Sequence, residues 1–537
     1  MSSPVQSGRG RVHAALVELF GIDRRSLAAF RIGLGLLLIW DLVGRARSLR
    51  AHYTADGVYP AAEALQLRPS SPLFHVFLWS DAFTVQAALF VVFGVLALLL
   101  VLGWRTRIVS VLAFVFLASL VRRNPYVCHT GDTWLKTLAF WAMLLPLGSA
   151  FSLDRLRGRG PPPESTRAFS LVTAGALLQV AAFYVSAGYL KSRYEVWTRG
   201  DAVWVFTHAV EYTRPFGAWL GRFPGLCRAL TYGTLVLEGL LPLLFFSPFA
   251  TRWIRGALIL VFASFHVTLS AVIHIGIFQL VCIVALFLFV PGAFWDALAA
   301  RMLRTRWSEW RTRWLARFGV EARERRPAGR LARIVPQAIA AASLVVILVS
   351  NVNTATKDPY DREDRGPLPL PPVVDAYGRE LSIVQNWNMF TDIDRLFFGW
   401  FQVLGQLDDG SVVDLLEHAP FTGIVRPKDY AAHFPNHNTR RYWREIALSD
   451  RDFLYPPLCR SLALEWEREG GAPLAHIAIL QIGRVPSKRP DADRVKRICV
   501  WERPTADPAE SERLRALRTQ WKAFLEALPE RVPLTEM

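Results

Sequence analysis

Apolar residues in this chain come in long unbroken runs, not in the short periodic patches of a water-soluble fold. Nine runs centre on residues 27–44, 83–103, 106–121, 134–150, 169–190, 229–247, 254–273, 275–295 and 335–352. About 20 apolar residues cross the hydrocarbon of a bilayer as a helix. The pattern therefore predicts an all-α polytopic membrane domain of about nine transmembrane helices. After residue 353 the pattern changes. The stretch TATKDPYDREDRGPLPLPP is polar and proline-rich, and a linker is expected over 354–374. Beyond it, FFGWFQVLGQLDDGSVVDLL (397–416) reads as two strands around an Asp409-Gly410 turn. AHIAILQIGRV and VKRICVWER read as a second strand pair. Leu514, Leu517, Trp521, Phe524, Leu525 and Leu528 share one face of a helix over 508–529. A small α+β domain over 375–537 follows.

Charge orients this scheme. Lys and Arg number 62 against 45 Asp and Glu, a net charge of +17. The excess lies in loops between apolar runs, which is the positive-inside pattern and not a nucleic-acid surface. The arginine-rich loop 301–334 is expected to be cytoplasmic. Counting back puts residues 1–26, 104–107, 151–168 and 248–255 on the same side, all carrying arginine. Segments 45–80, 122–133, 191–228 and everything after 353 fall on the other side. Arg45, Arg47, Arg50, Arg122 and Arg123 are exceptions to the pattern. Residues 1–26 lack the apolar region of a cleavable signal, so the first run is its own insertion signal. The expected location is the cytoplasmic (inner) membrane, multi-pass, with the N-terminus inside and the C-terminal domain outside. Five cysteines make no disulfide framework. Cys459 and Cys499 share the outer domain, where they could pair in an oxidising compartment or stay as two buried thiols.

Ionisable groups within apolar runs are costly and turn toward protein or water. Arg31 and Asp41 lie in the first run, where they could pair or mark its ends. Lys136 lies in the fourth. Glu238, inside LVLEGLLPLL, has no basic neighbour in sequence and needs a partner from another helix. His266 and His274 are eight residues apart, so a continuous helix returns them to about the same side. Their spacing is not the i, i+4 of a zinc helix, and no metal is expected. Lys191 ends the fifth run. A lysine there can reach out to the membrane interface, and Trp197 and Tyr194 would join an aromatic belt. Desolvation also strips charge from a lysine readily, and a neutral amine on an apolar wall is a base. On the residues alone both readings of Lys191 stand.

Several motifs, in order, carry a resemblance: FRIGLGLLLIWDL with HYTADGVYP, NPYVCHTGDTWLK with FSLD, AGYLKSRYEVWTRGDAV, FHVTLSAVIHIGIF and, further on, QNWNMF (385–390). Over about residues 20–300, with 27–300 as the membrane domain, the chain resembles bacterial HTTM (horizontally transferred transmembrane) domain proteins, relatives of vitamin K-dependent γ-glutamyl carboxylase. In that carboxylase a hydrophobic helix ends in Ala-Gly, two residues, then the lysine thought to deprotonate vitamin K hydroquinone. Ala187-Gly188-Tyr189-Leu190-Lys191 keeps the offset, with Leu190 in place of a companion lysine and Trp197 one residue late. The resemblance makes Lys191 and His266 the implied catalytic pair. It aligns His129-Thr130-Gly131-Asp132 with a second part of the carboxylase site, the histidine out of register. His129, Asp132 and Glu238 are left as cofactor-side candidates. The implied chemistry is a quinone-dependent oxygenase or carboxylase: Lys191 deprotonates a reduced quinone, oxygen reacts, and carbon dioxide traps a carbanion on a secreted or peptide substrate, with no metal. A non-enzymatic, membrane-anchored maturation or interaction factor for secreted proteins is the alternative. A transporter is disfavoured by the lack of a repeated broken-helix pattern.

Overall fold

The computed structural model describes residues 8–67, 74–157, 166–209, 212–303, 330–357, 366–384, 387–391, 398–425, 427, 430–448, 452–484 and 492–533. Most of the arginine-rich loop 301–334 and residues 358–365 of the linker lie outside the described residues. Each of the nine apolar runs contains a helix: α1 (Arg24–Ala46), α2 (Phe83–Leu102), α3 (Thr106–Arg123), α4 (Thr130–Leu144), α5 (Leu171–Ser192), α6 (Pro224–Gly239), α7 (Thr251–Val272), α8 (Phe278–Leu286) and α9 (Arg330–Thr356). Local chemistry sets the ends. Asp23 caps α1 by accepting from Arg25 N, and Ser170 and Thr173 form a capping box on α5. Gly103 (φ +69°) ends α2 in the left-handed region.

Six helical segments are long and apolar enough to cross a membrane: α1, α2, α5, Pro224–Phe246, α7 and Arg333–Thr356 within α9. A bent pair, Phe278–Phe289 with Gly292–Arg301 at 90°, makes up to seven. The helices α3, α4 and α8 fall short of that length and composition for local reasons. α3 carries Arg107, Arg122 and Arg123, α4 has 15 residues and α8 has 9. Val91, Leu98, Leu260 and Val267 are exposed on the outside of the bundle, a surface suited to lipid and not to water.

Loops gather on two opposite faces. On one, Ile22–Asp23 pairs with Arg167–Ala168, Asp154 accepts from Arg105 N and Thr106 N, and Arg255 donates to Leu19 O. On the other, the C-terminal region docks. Asn436 Nδ2 donates to Gly44 O, Asn438 Nδ2 to Val127 O, Tyr442 Oη to Val58 O and Arg440 Nη2 to His274 O. Val58, Val127 and, through its indole, Trp197 thus each meet the C-terminal region.

The C-terminal domain holds a six-stranded antiparallel sheet. The strands are β1 (Phe398–Leu407), β2 (Val412–Asp414), β3 (Ala419–Pro420), β4 (Leu474–Arg484), β5 (Ala492–Glu502) and β6 (Arg531–Pro533), in the order β3-β2-β1-β4-β5-β6. Both predicted strand pairs form. Helices α10 (His437–Leu448), α11 (Tyr455–Arg468) and α12 (Pro508–Ala527) pack with the sheet, and α12 buries Leu514, Leu517, Trp521 and Leu525 as its periodicity predicts. Cys459 is buried and disulfide-bonded. The side chain of Cys499 lies outside the described residues.

Of the two readings of Arg31 and Asp41, pairing or marking the run's ends, the first does not hold. Arg31 does not pair with Asp41. Its guanidinium donates to the carbonyls of Leu147, Val101 and Phe151, where helices end without partners, while Asp41 accepts from Arg45. Lys136, from the fourth run, reaches out of the bundle. It donates to Arg379 O at 3.4 Å, against the C-terminal region.

Candidate functional site

Helix α5 supplies the centre. Phe183, Tyr184, Ala187, Gly188 and Lys191 fall on its buried side, linked by steps of three and four residues as one helix face requires. Gly188 faces the backbone of α6. A Cβ there would stand 2.5 Å from Gly239 N and 2.8 Å from Gly239 Cα. Two glycines thus bring α5 and α6 into backbone contact, as small residues do where membrane helices cross closely. One turn on, Lys191 Nζ donates to Glu238 Oε2. Lys191 is 4% exposed and Glu238 8%. The interface-anchor reading of Lys191 therefore fails: the amine points into protein. Glu238 has the partner from another helix that its position demanded.

The Trp197 ring lies 5.4 Å from Lys191 Nζ, within range of a cation–π contact. One residue late against the carboxylase pattern, it is nonetheless buried beside the amine. Its indole Nε1 donates to Phe390 O at 2.7 Å, tying Lys191's surroundings to the C-terminal region.

His266, on α7, faces the same interior. Its Nε2 and Tyr184 Oη are 2.7 Å apart. Its Nδ1 is buried with no hydrogen-bond partner among the described residues. An aromatic wall surrounds the pair. Trp134 stacks on Phe183 at 4.4 Å, Phe262 lies 4.6 Å from Tyr184, and Phe278 lies 6.1 Å from His266. Trp387, from QNWNMF, fits edge-on between Trp134 (5.5 Å) and Phe183 (4.7 Å) and is 1% exposed. Phe390 packs on Phe206 and Tyr212. The C-terminal region therefore completes the wall of a site on the membrane helices. Tyr184 carried no signal in sequence beyond its place seven residues before Lys191. Trp387 was visible only as part of a motif.

The remaining candidates lie elsewhere. His274 does not share a face with His266. α7 stops at Val272, Ile273 bridges to Thr213, and Gly276 (φ +66°) turns the chain. His274 instead meets His437, ring centroids 5.4 Å apart. His129 caps α4. Its Nδ1 accepts from Gly131 N at 2.9 Å, and its backbone N donates to Asp132 Oδ2 at 2.7 Å. Burial holds the His129 imidazole below its usual range, ahead of the opposing pull of Asp132. Asp132 is ion-paired with Arg45, whose Nε also donates to Asp41 Oδ2 at 2.7 Å and whose Nη1 donates to Tyr53 Oη at 2.9 Å. Asp132 and His129 are thus helix-capping and ion-pairing groups. Lys191, Glu238, His266 and Tyr184 form a separate constellation. No group of three His, Cys, Asp or Glu able to hold a metal is found among the described residues.

The HTTM domain model matches residues 21–294, just over half of the chain. No curated protein matches the chain, and neither does any solved structure.

Proposed function

The chain belongs to the HTTM domain family, and from that premise we propose a membrane-embedded enzyme in which Lys191 acts as base toward a hydroxyl-bearing lipid. A reduced quinone is the class the interior fits best. The observation that carries the reading is the buried Lys191–Glu238 pair reached across the Gly188–Gly239 crossing. A buried ion pair is a weak source of stability compared with apolar packing, so its retention asks for another reason. The rings of Trp134, Phe183, Phe262 and Phe278 suit a flat apolar ring, and the unpartnered His266 Nδ1 suits its hydroxyl. When bound, such a quinol supplies electrons for the oxygen-dependent oxygenation or carboxylation of a second, secreted or peptide substrate. Lys191 Nζ passes its hydrogen-bonded proton to the touching Glu238 carboxylate and, as the neutral amine so formed, takes the hydroxyl proton, leaving the pair with one proton more. Tyr184 Oη fixes the His266 ring, so that Nδ1 orients the lipid. The apolar wall keeps out water that would compete for the proton.

The nine helices and two loop faces support nine passes, with α3, α4 and α8 completing the count inside the bundle. Arginine-bearing loops support an inside N-terminus, and the disulfide-bonded Cys459 supports an oxidising compartment for the C-terminal domain. The second reading is a maturation or interaction factor. It draws on a cleft of about 610 Å³ in that domain, lined by Trp400, Phe401 and Tyr430.

Lipid mass spectrometry of the purified protein separates the two. The enzyme reading expects a co-purifying quinone, and a Lys191→Ala protein that folds but no longer turns over quinol. A silent Lys191→Ala, with function lost on removing 375–537, favours the factor.

A further inference from the structure

The outer-face arginines that broke the charge pattern meet different fates. Arg45 is ion-paired, Arg123 donates to Tyr59 O and Tyr53 O, Arg122 pairs with Glu380 at 2.7 Å, and Arg50 lies 3.6 Å from Asp56. Arg47 is exposed and has no carboxylate partner among the described residues. It stands on a cavity of about 500 Å³ between the end of α1, the α7–α8 turn and the start of α10. Arg214, also exposed and without such a partner among the described residues, stands on the same cavity. Arg440 forms part of its wall, with Nη2 donating to His274 O and lying 2.7 Å from His437 Nδ1.

Further features shape this space beside the arginines. His129, His437 and His274 line it in a row, with centroids 4.7 and 5.4 Å apart. Gly276 lets the row close, since a Cβ there would lie 2.6 Å from the His437 ring and 2.9 Å from His129 Nε2. The first residues of α8 and α10, and the cap of α4, border it, and helix N-termini favour anions. Burial, then the neighbouring His129, Arg440, His274 and Arg441, drives His437 well below its usual range, so its ring is neutral and the positive charge at the cavity is that of the arginines. The one carboxylate at the cavity, Asp41, is already held by Arg45. The remaining wall is apolar and outward-facing: Trp40 is 65% exposed, Val43 56% and Leu280 43%. On membrane helices such side chains face lipid.

We propose that this cavity binds the oxyanion of an acidic amphiphile, a phosphate or carboxylate head group, held by Arg47, Arg214 and Arg440 while its apolar part lies along Trp40, Val43 and Leu280. The site is separate from Lys191, and its test reads binding, not turnover. Native mass spectrometry of the full chain would compare phosphatidylglycerol with phosphatidylcholine. A parallel thermal-shift titration would use inorganic phosphate. The wild type should retain phosphatidylglycerol selectively, and Arg47→Gln with Arg214→Gln should weaken retention roughly twentyfold, about fivefold for each arginine at an anionic lipid. Arg252→Gln, on the opposite face, should change nothing. If the double variant does not fold, Arg47→Gln alone is read for its fivefold loss. A phosphate-induced stabilisation that vanishes in the same variants supports the oxyanion site with a soluble source. Equal retention of both lipids, or no change in the arginine variants together with no phosphate response, overturns the proposal.

Discussion

Two buried charge clusters in the same helical bundle are built on opposite plans. In the Asp41–Arg45–Asp132 triad every guanidinium nitrogen has a partner: Nε meets Asp41, Nη1 meets Tyr53 Oη and Nη2 meets Asp132. Asp132 accepts in addition from His129 N. Around Lys191 the valences are left open. Its amine has one hydrogen-bond partner among the described residues, Glu238, and His266 nearby keeps an unpartnered Nδ1. Full satisfaction marks a group that holds helices in register, because any loss leaves a buried charge uncompensated. Open valences in a low-dielectric wall mark a group kept for a transient partner. The contrast separates two sets of residues that looked alike in sequence, since Asp41, Lys136, Glu238 and Lys191 are all ionisable groups in apolar runs.

Four experiments press on this contrast, in descending order of effect. Lys191→Ala is expected to reduce quinol-dependent turnover about a thousandfold, roughly 4 kcal/mol of barrier. Adding Glu238→Gln should restore stability lost to the stranded carboxylate without restoring turnover, measured by stopped-flow oxidation alongside thermal unfolding. Arg45→Met should destabilise the fold by about 3–5 kcal/mol by stranding two carboxylates, seen as a large drop in the unfolding midpoint. A protein as stable as wild type would collapse the distinction. Gly188→Ala should separate α5 from α6 and cost about a hundredfold in turnover, because small misplacements at a reacting centre are that expensive. Its stability loss should stay near 1–3 kcal/mol.

Acid is the gentlest probe. Burial and then Arg45 push the His52 imidazole, just beyond α1, down to about 3. His52 is therefore neutral when folded and titrates near 6.5 when unfolded. A depressed folded value means stability is complete above pH 6.5 and is lost as pH falls toward 3. At pH 5 the loss from His52 is about 2 kcal/mol. Unfolding midpoints measured between pH 7.5 and 5 should fall, and a His52→Asn protein should show a shallower fall. The charge added to His52 would sit beside Arg45, so acid loads the triad.

Much of this was legible in sequence, and the reasons differ from part to part. Apolar runs alone located a helix in each of nine places. Strand alternation and the Asp409-Gly410 turn located the sheet. Length misled where a run included its flanks: the run at 134–150 holds a 15-residue helix that begins earlier, at its His129 cap. Helical arithmetic misled for His274, because the helix it assumed stops at Val272. The site was half visible. Lys191 and His266 came from motif offsets, and Glu238 was marked by its lack of a local partner. Their joining was not readable, because 47 residues separate Lys191 from Glu238 and a glycine contact brings them together. The five exceptional arginines were informative as exceptions: four have structural partners, and Arg47 borders the basic cavity.

The position of Trp387 has a consequence for how the protein is made. A ribosome delivers the chain in order, so all nine helices are synthesised before the residue that fits between Trp134 and Phe183. The membrane bundle is therefore inserted with its aromatic wall still open, and only arrival of the C-terminal region closes it. Translation order thus acts as a timer, leaving the aromatic wall near Lys191 unfinished until the C-terminal region has followed.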